Sequence, residues 1–190
     1  MKQINVFTML KYTDTKVTFS EIPDEITLCI NISGCPNHCD GCHSSYLSED
    51  IGLELNSSAI DSLIEGNPGI TCICFMGGDQ NPTLIWNFAN YIQTKYLVKY
   101  KVGWYSGKDT LPDQFLRTNT EDPYIDFYHI IDGKFYDIMP FNFIKLGSYK
   151  KEFGPLNKST TNQKLYLVVG NPAILEDITY KFWNNGDIIG

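Results

Sequence analysis

Cys35, Cys39 and Cys42 lie in the run Ser33-Gly34-Cys35-Pro36-Asn37-His38-Cys39-Asp40-Gly41-Cys42-His43, spaced C-x3-C-x2-C. Thiolates this close in sequence suit three irons of a [4Fe-4S] cluster, whose full thiolate ligation takes four cysteines. With no fourth cysteine close by, one iron is left for a non-protein ligand, and an open iron is a place for chemistry. A catalytic zinc with three protein ligands and a water would use the same donors. A closed zinc site would add His38 or His43 as fourth ligand. The spacing favours the cluster and leaves zinc open.

The other three cysteines read as core. Cys72 and Cys74 alternate within Ile70-Thr71-Cys72-Ile73-Cys74-Phe75-Met76, and Cys29 sits inside Ile26-Thr27-Leu28-Cys29-Ile30-Asn31-Ile32. A strand puts Cys72 and Cys74 on one face, where cysteine packs as a small hydrophobe. The N-terminal run alternates polar and apolar residues without a long apolar h-region, and no stretch reaches membrane-span length. The expected setting is therefore a reducing cytoplasm, with no membrane partner, where cysteines serve as ligands or core rather than as a disulfide framework.

The elements that must position the three cysteines follow from the pattern of the whole chain. Its 190 residues, 43% hydrophobic, suffice for a single domain over 1–190 with a full core. A net charge of −7 argues against a nucleic-acid binder built on phosphate contacts. Lys145, Lys150, Lys151, Lys158 and Lys164 form a lysine-bearing run that reads as a solvated loop.

A hairpin is expected first, with strands over Ile4–Leu10 and Lys16–Phe19 and a turn at Tyr12-Thr13-Asp14. Ile26–Ile32 is a strand feeding the cysteine loop. Ser57 or Ser58 caps a short helix to about Glu65. Ile70–Phe75 is a buried strand, and Pro82 opens a helix over Thr83–Tyr96. Lys101–Tyr105, Tyr124–Ile131 and Lys164–Val169 read as strands, Leu111–Arg117 as a short helix, and Ile174–Phe182 as an amphipathic helix or a loop. Alternating strands and helices predict an α/β fold with a largely parallel sheet. Ligands in such sheets bind beyond the carboxyl ends of the strands. There the sequence places the cysteine run, Gly77-Gly78-Asp79, Ser106-Gly107 and Asp132-Gly133. Each glycine pair is by itself an ordinary turn; their gathering at one rim is the signal.

Together these residues resemble the radical S-adenosylmethionine superfamily, and within it the activating proteins of anaerobic ribonucleoside-triphosphate reductases. The cysteine run carries most of the resemblance, with Gly41-Cys42-His43 pointing to that branch. Ile131-Asp132-Gly133-Lys134-Phe135, Gly154-Pro155-Leu156 and Asn162-Gln163-Lys164 add to it. The likeness covers a core of about 26–170. One match is imperfect: the family's Gly-Gly-Glu-Pro is Gly77-Gly78-Asp79-Gln80 here.

The resemblance implies a partial, open TIM-like barrel with a curved sheet and an N-terminal hairpin. Cys35, Cys39 and Cys42 would ligate the [4Fe-4S] cluster, whose fourth iron is chelated by S-adenosylmethionine. Gly77, Gly78 and Asp79 would bind its ammonium, and Ser106 its ribose or carboxylate. Gly41 and His43 would approach adenine, and Asp132 belongs to the same cofactor-binding set. Reductive cleavage would yield a 5′-deoxyadenosyl radical that takes a hydrogen from a glycine of the reductase. A flavodoxin or ferredoxin would supply the electron. Apart from the resemblance, the lysine-bearing segment from Lys145 to Lys164 is a hypothetical docking site for the reductase, to be tested at Lys150 and Lys151. The rivals are a formate-lyase type activase, a small-molecule radical enzyme and a zinc-binding interaction module.

Overall fold

The computed structural model describes residues 9–115, 130–131, 134–135, 140–170 and 174–183. Among the described residues, ten strands begin with β1 (Lys11–Thr18), β2 (Thr27–Ile32), β3 (Leu53–Glu54), β4 (Cys72–Met76) and β5 (Lys101–Tyr105). They continue with β6 (Ile130–Ile131), β7 (Lys134–Phe135), β8 (Phe143–Leu146), β9 (Lys164–Val169) and β10 (Ile174–Asp177). Two helices, α1 (Ser57–Glu65) and α2 (Pro82–Lys95), lie between β3 and β5.

Eight strands form one open, mixed sheet in the order β10-β9-β8-β5-β4-β2-β1-β3, while β6 and β7 pair with each other. The four central strands β2, β4, β5 and β8 are parallel. Both flanks are antiparallel, so the parallel character belongs to the centre of the sheet.

Side chains alternate across the central strands, and both faces are covered. Ile73 and Phe75 join Leu28, Ile30, Ile32, Val102, Trp104 and Ile144 in the larger core, which includes Ile85, Phe88 and Ile92 of α2. Cys72 and Cys74 point the other way, into a smaller cluster with Cys29, Ile22, Phe143, Leu165 and Ile178. The expectation that Cys29, Cys72 and Cys74 are core cysteines therefore holds. Burial pushes the Cys29 thiol up to about 12 and also raises those of Cys72 and Cys74.

Several expected elements are corrected. The run Tyr12-Thr13-Asp14 is no turn but lies inside β1, where the pairing with β2 shifts register between Tyr12 and Asp14. Polar residues there mark a bulge, and Asp14 is satisfied by Asn31 Nδ2 at 2.6 Å. The hairpin partner of β1 is thus β2; residues 1–8 lie outside the described residues. Asn56, not a serine, caps α1 by accepting from Ala59 N at 2.9 Å. Asn81 does the same for α2 ahead of Pro82. The stretch expected as a helix or loop at 174–182 is strand β10 followed by a 3-10 turn, Thr179–Phe182. Of the helix expected at 111–117, residues 111–115 are described: Leu111 and Pro112 are outside any helix, Asp113–Phe115 is a 3-10 turn, and the rest lies outside the described residues. The strand expected at 124–131 is described only at β6. Strand β8 has no counterpart among the sequence-based expectations, because Lys145 within it was grouped with a solvated run.

Candidate functional site

The cysteine loop leaves the carboxyl end of β2 and is pinned at both of its ends. Gly34 N donates to Glu49 O at 3.0 Å and Cys35 N to Leu47 O at 2.8 Å. Ser33 Oγ donates to Ile51 O at 2.6 Å. Inside the loop Cys42 N donates to Cys39 O at 3.2 Å, and His38 turns the chain with φ of 45°. Cys35, Cys39 and Cys42 are free thiols of intermediate exposure, while His38, Gly41 and His43 are exposed. Burial pushes the Cys35 thiol up, against the Asn37 N–H, which pulls it down. Asp79, Cys39 and Cys42 add a further upward push, which places all of them within electrostatic reach of Cys35. Iron binding must therefore displace a proton from Cys35. Among the described residues no three His, Cys, Asp or Glu side chains converge on one point as ligands of a lone metal ion.

The next two parallel strands bring their own ends to the same rim. After β4, Gly77 and Gly78 take φ of 103° and 91°, conformations that suit glycine. A Cβ on Gly78 would also lie 2.5 Å from Ile85 Cδ1. Trp104 Nε1 holds the turn by donating to Gly77 O at 2.8 Å. Asp79 is the hub. Its Oδ1 accepts from Ser106 Oγ at 2.7 Å, and its Oδ2 from Asn37 Nδ2 at 2.7 Å and Gly107 N at 2.9 Å. Ser106, expected at the ribose or carboxylate of a ligand, is 1% exposed and turns its hydroxyl onto Asp79. Gln80 Nε2 donates to Ser33 O at 2.6 Å.

Two contributors were missed from sequence. Asn37 carries no expectation from the sequence, although an amide within a ligand run can tether it to a neighbouring acceptor. Lys145, grouped with a solvated lysine run, is only 7% exposed, at the carboxyl end of β8. Desolvation pushes its ammonium down to about 8, while Asp79, Cys39, Asp109 and Cys42 pull it up. Those attractions place Lys145 within electrostatic reach of the cysteine loop and of Asp79. Asp132 lies outside the described residues. The open face of Gly41 meets Tyr149 and Lys151, since a Cβ there would stand 3.6 Å from Tyr149 Cε1 and 3.9 Å from Lys151 Cδ. The segment after β8 therefore lies against the cysteine loop.

Two cavities open along this rim and share Asp109. One, of about 400 Å³, is lined by Asp79, Lys108, Asp109 and Asp113 among others. The other, of about 220 Å³, is lined by Lys150, Asn162, Lys164 and Tyr166. Asn162 Oδ1 and Gln80 Oε1 are buried without a hydrogen-bond partner.

A family model described as a 4Fe-4S single cluster domain matches residues 26–141. The chain belongs to the 4Fe-4S single cluster domain family. A comparison with curated proteins finds no match, and neither does one with solved structures. The 4Fe-4S match spans the cysteine loop, β4 and β5, the elements that build the rim. The donor set fits such a cluster: three free thiols of intermediate exposure on one loop. An iron-sulfur domain is compatible with oxidoreductase chemistry. No helix among the described residues is long and apolar enough to cross a membrane.

Proposed function

We propose that this protein is a radical S-adenosylmethionine activase that installs a glycyl radical on an anaerobic ribonucleoside-triphosphate reductase. One observation carries the proposal. The cysteine loop, Gly77-Gly78-Asp79 and Ser106-Gly107 follow three adjacent parallel strands and meet at one rim through Asp79. That is where open parallel sheets bind ligands. On this reading the central strands form part of an open TIM-like barrel whose mouth admits a protein loop.

The residues divide the work by charge. Cys35, Cys39 and Cys42 would hold three irons and leave the fourth to the methionine amino and carboxylate groups. The larger cavity, where Asp79, Asp109 and Asp113 outnumber Lys108, suits a sulfonium-bearing ligand, which is cationic at its reacting centre. The orphaned acceptors Gln80 Oε1 and Asn162 Oδ1 suit donors such as an ammonium, ribose hydroxyls or the adenine amine. Gly77 and Gly78 let backbone approach the ligand, and Gly41 and His43 would border its adenine side. Lys145 offsets negative charge beneath the cysteine loop.

When bound, the cluster and S-adenosylmethionine supply one-electron cleavage to methionine and a 5′-deoxyadenosyl radical, which takes hydrogen from the partner glycine. A cytoplasmic flavodoxin or ferredoxin would supply the electron.

Anaerobic electron paramagnetic resonance tests this on the iron-reconstituted protein, reduced, with S-adenosylmethionine and the candidate reductase. A glycyl doublet on the reductase, absent with Cys39→Ala, is the expected result. A cluster signal that responds to S-adenosylmethionine without a glycyl signal would reject this substrate. A cluster signal indifferent to S-adenosylmethionine would reject the radical chemistry.

A further inference from the structure

We propose that Asp79 and Gln80 act as a clamp that sets the cysteine loop for cluster binding, Asp79 gripping Asn37 and Gln80 gripping Ser33. This rests on the cluster belonging to Cys35, Cys39 and Cys42, and not on the activase reading. The loop has two points of attachment to the β4–α2 turn. Gln80 Nε2 holds Ser33 O at 2.6 Å, just before Cys35. Asp79 Oδ2 holds Asn37 Nδ2 at 2.7 Å, between Cys35 and Cys39. An amide donating to a carboxylate is the stronger kind of hydrogen bond. A carboxylate accepts about four hydrogen bonds, and those from Ser106, Gly107 and Asn37 occupy most of that capacity in Asp79.

The fit around Asn37 is close. A Cβ on Gly107 would stand 2.3 Å from Asn37 Nδ2 and 3.1 Å from its Cγ. Gly107 does not adopt a positive φ, so its glycine provides space rather than backbone freedom. On the other side, a Cβ on Gly34 would stand 3.0 Å from Gln80 Nε2. Gly34 and Gly107 thus leave room for the two gripping contacts. The same geometry accounts for the Asp-Gln pair where the resembled family has Glu-Pro. Proline has no side-chain donor to offer Ser33, and a longer acid would need Asn37 to sit farther from the rim.

Asp79, Asn37 and Gln80 are positioning residues in this scheme. They act on the cysteines through the loop and not on iron.

The test is a mutant cycle on Asn37→Ala, Gly107→Ala and the double variant. Two readouts are iron release from the reconstituted protein to a chelator, under anaerobic conditions, and hydrogen exchange of the loop amides in the apoprotein. Each single variant is expected to speed iron release on the order of tenfold and to speed exchange at residues 35–42. The double variant should behave as Asn37→Ala alone, because the methyl group then meets Asp79 Oδ2 only at an ordinary contact distance of 3.4 Å. Gln80→Ala should speed exchange near Ser33 with Asn37 intact. Effects that add in the double variant, or single variants indistinguishable from wild type in both readouts, would overturn the clamp. If wild type assembles no cluster, the cluster site itself fails, and the exchange cycle on the apoprotein still decides whether Asp79 grips the loop.

Discussion

Lys145 donates from its buried ammonium to the carbonyl oxygen of Gly147 at 2.5 Å. It also reaches Ser106 O at 3.4 Å, while Ser106 N donates back to Lys145 O at 2.9 Å. Two backbone carbonyls replace part of the ammonium's lost hydration, and the remaining cost shows in its lowered pKa. The positive charge is kept within electrostatic reach of Asp79 and of the cysteine loop.

Stability of the apoprotein is expected to carry a signature of this burial. Below pH 8 Lys145 is charged in both folded and unfolded chains, so its desolvation penalty is fully present. Between about 8 and the ordinary lysine value of 10.5, the folded chain releases the proton first. Stability then rises with pH by up to about 3 kcal/mol on account of this one group. The raised thiols Cys29, Cys72 and Cys74 act in the opposite sense above pH 9, so the difference between wild type and Lys145→Met is the quantity to measure. Chemical denaturation across pH 7–11 should show that difference changing across the window; parallel curves would refute it.

The six cysteines should separate cleanly into two groups. Cys35→Ser, Cys39→Ser and Cys42→Ser are expected to fold as wild type and to fail to hold the iron-sulfur chromophore after reconstitution. Cys74→Ser, at 0% exposure, should keep the chromophore and lose about 1–3 kcal/mol, because a hydroxyl replaces a thiol in an apolar cluster. Iron and sulfide analysis beside urea melts would check both halves.

Trp104→Phe is expected to cost about 2 kcal/mol. Trp104 is fully buried, stacks on Phe141 with ring centroids 5.8 Å apart and holds Gly77 O through its indole N–H. Loss of that bond also frees the Gly77-Gly78 turn. If S-adenosylmethionine is the ligand, as proposed, weaker binding by calorimetry should accompany the stability loss; unchanged binding would separate the turn from the ligand site.

Lys151 and Lys158 are exposed on the segment after β8, whereas Lys150 lines the smaller cavity. If this segment docks the reductase, reversing Lys158 to glutamate should slow partner activation by roughly threefold at low ionic strength, and less at high salt. Cleavage of S-adenosylmethionine without the partner should stay at the wild-type rate. Equal activation at all salt concentrations would remove the docking role.

Much of the chemistry was legible in the residues alone. The C-x3-C-x2-C run reports ligand type because thiolates must be close in sequence to share one loop. The alternation around Cys72 and Cys74 reports core because a strand's side-chain period is two. Strands β5 and β9 were legible end to end, as apolar runs bounded by turn residues. Polar runs were less telling. Tyr12-Thr13-Asp14 has the composition of a turn, and only cross-strand pairing with Asn31 turns it into a bulge within β1. Lys145 has the composition of a solvated loop, and only parallel pairing of β8 with β5 buries it.

The sequence by itself determined which side chains can hold iron, which pack the core and which glycines can turn sharply. These depend on residue chemistry and on spacing along one segment. The tertiary structure alone decided what Asp79 touches. Asn37, Ser106 and Gly107 reach it from two other loops, 42, 27 and 28 positions away along the chain. No local pattern encodes those contacts, because they exist only once β2, β4 and β5 are paired in parallel and in register.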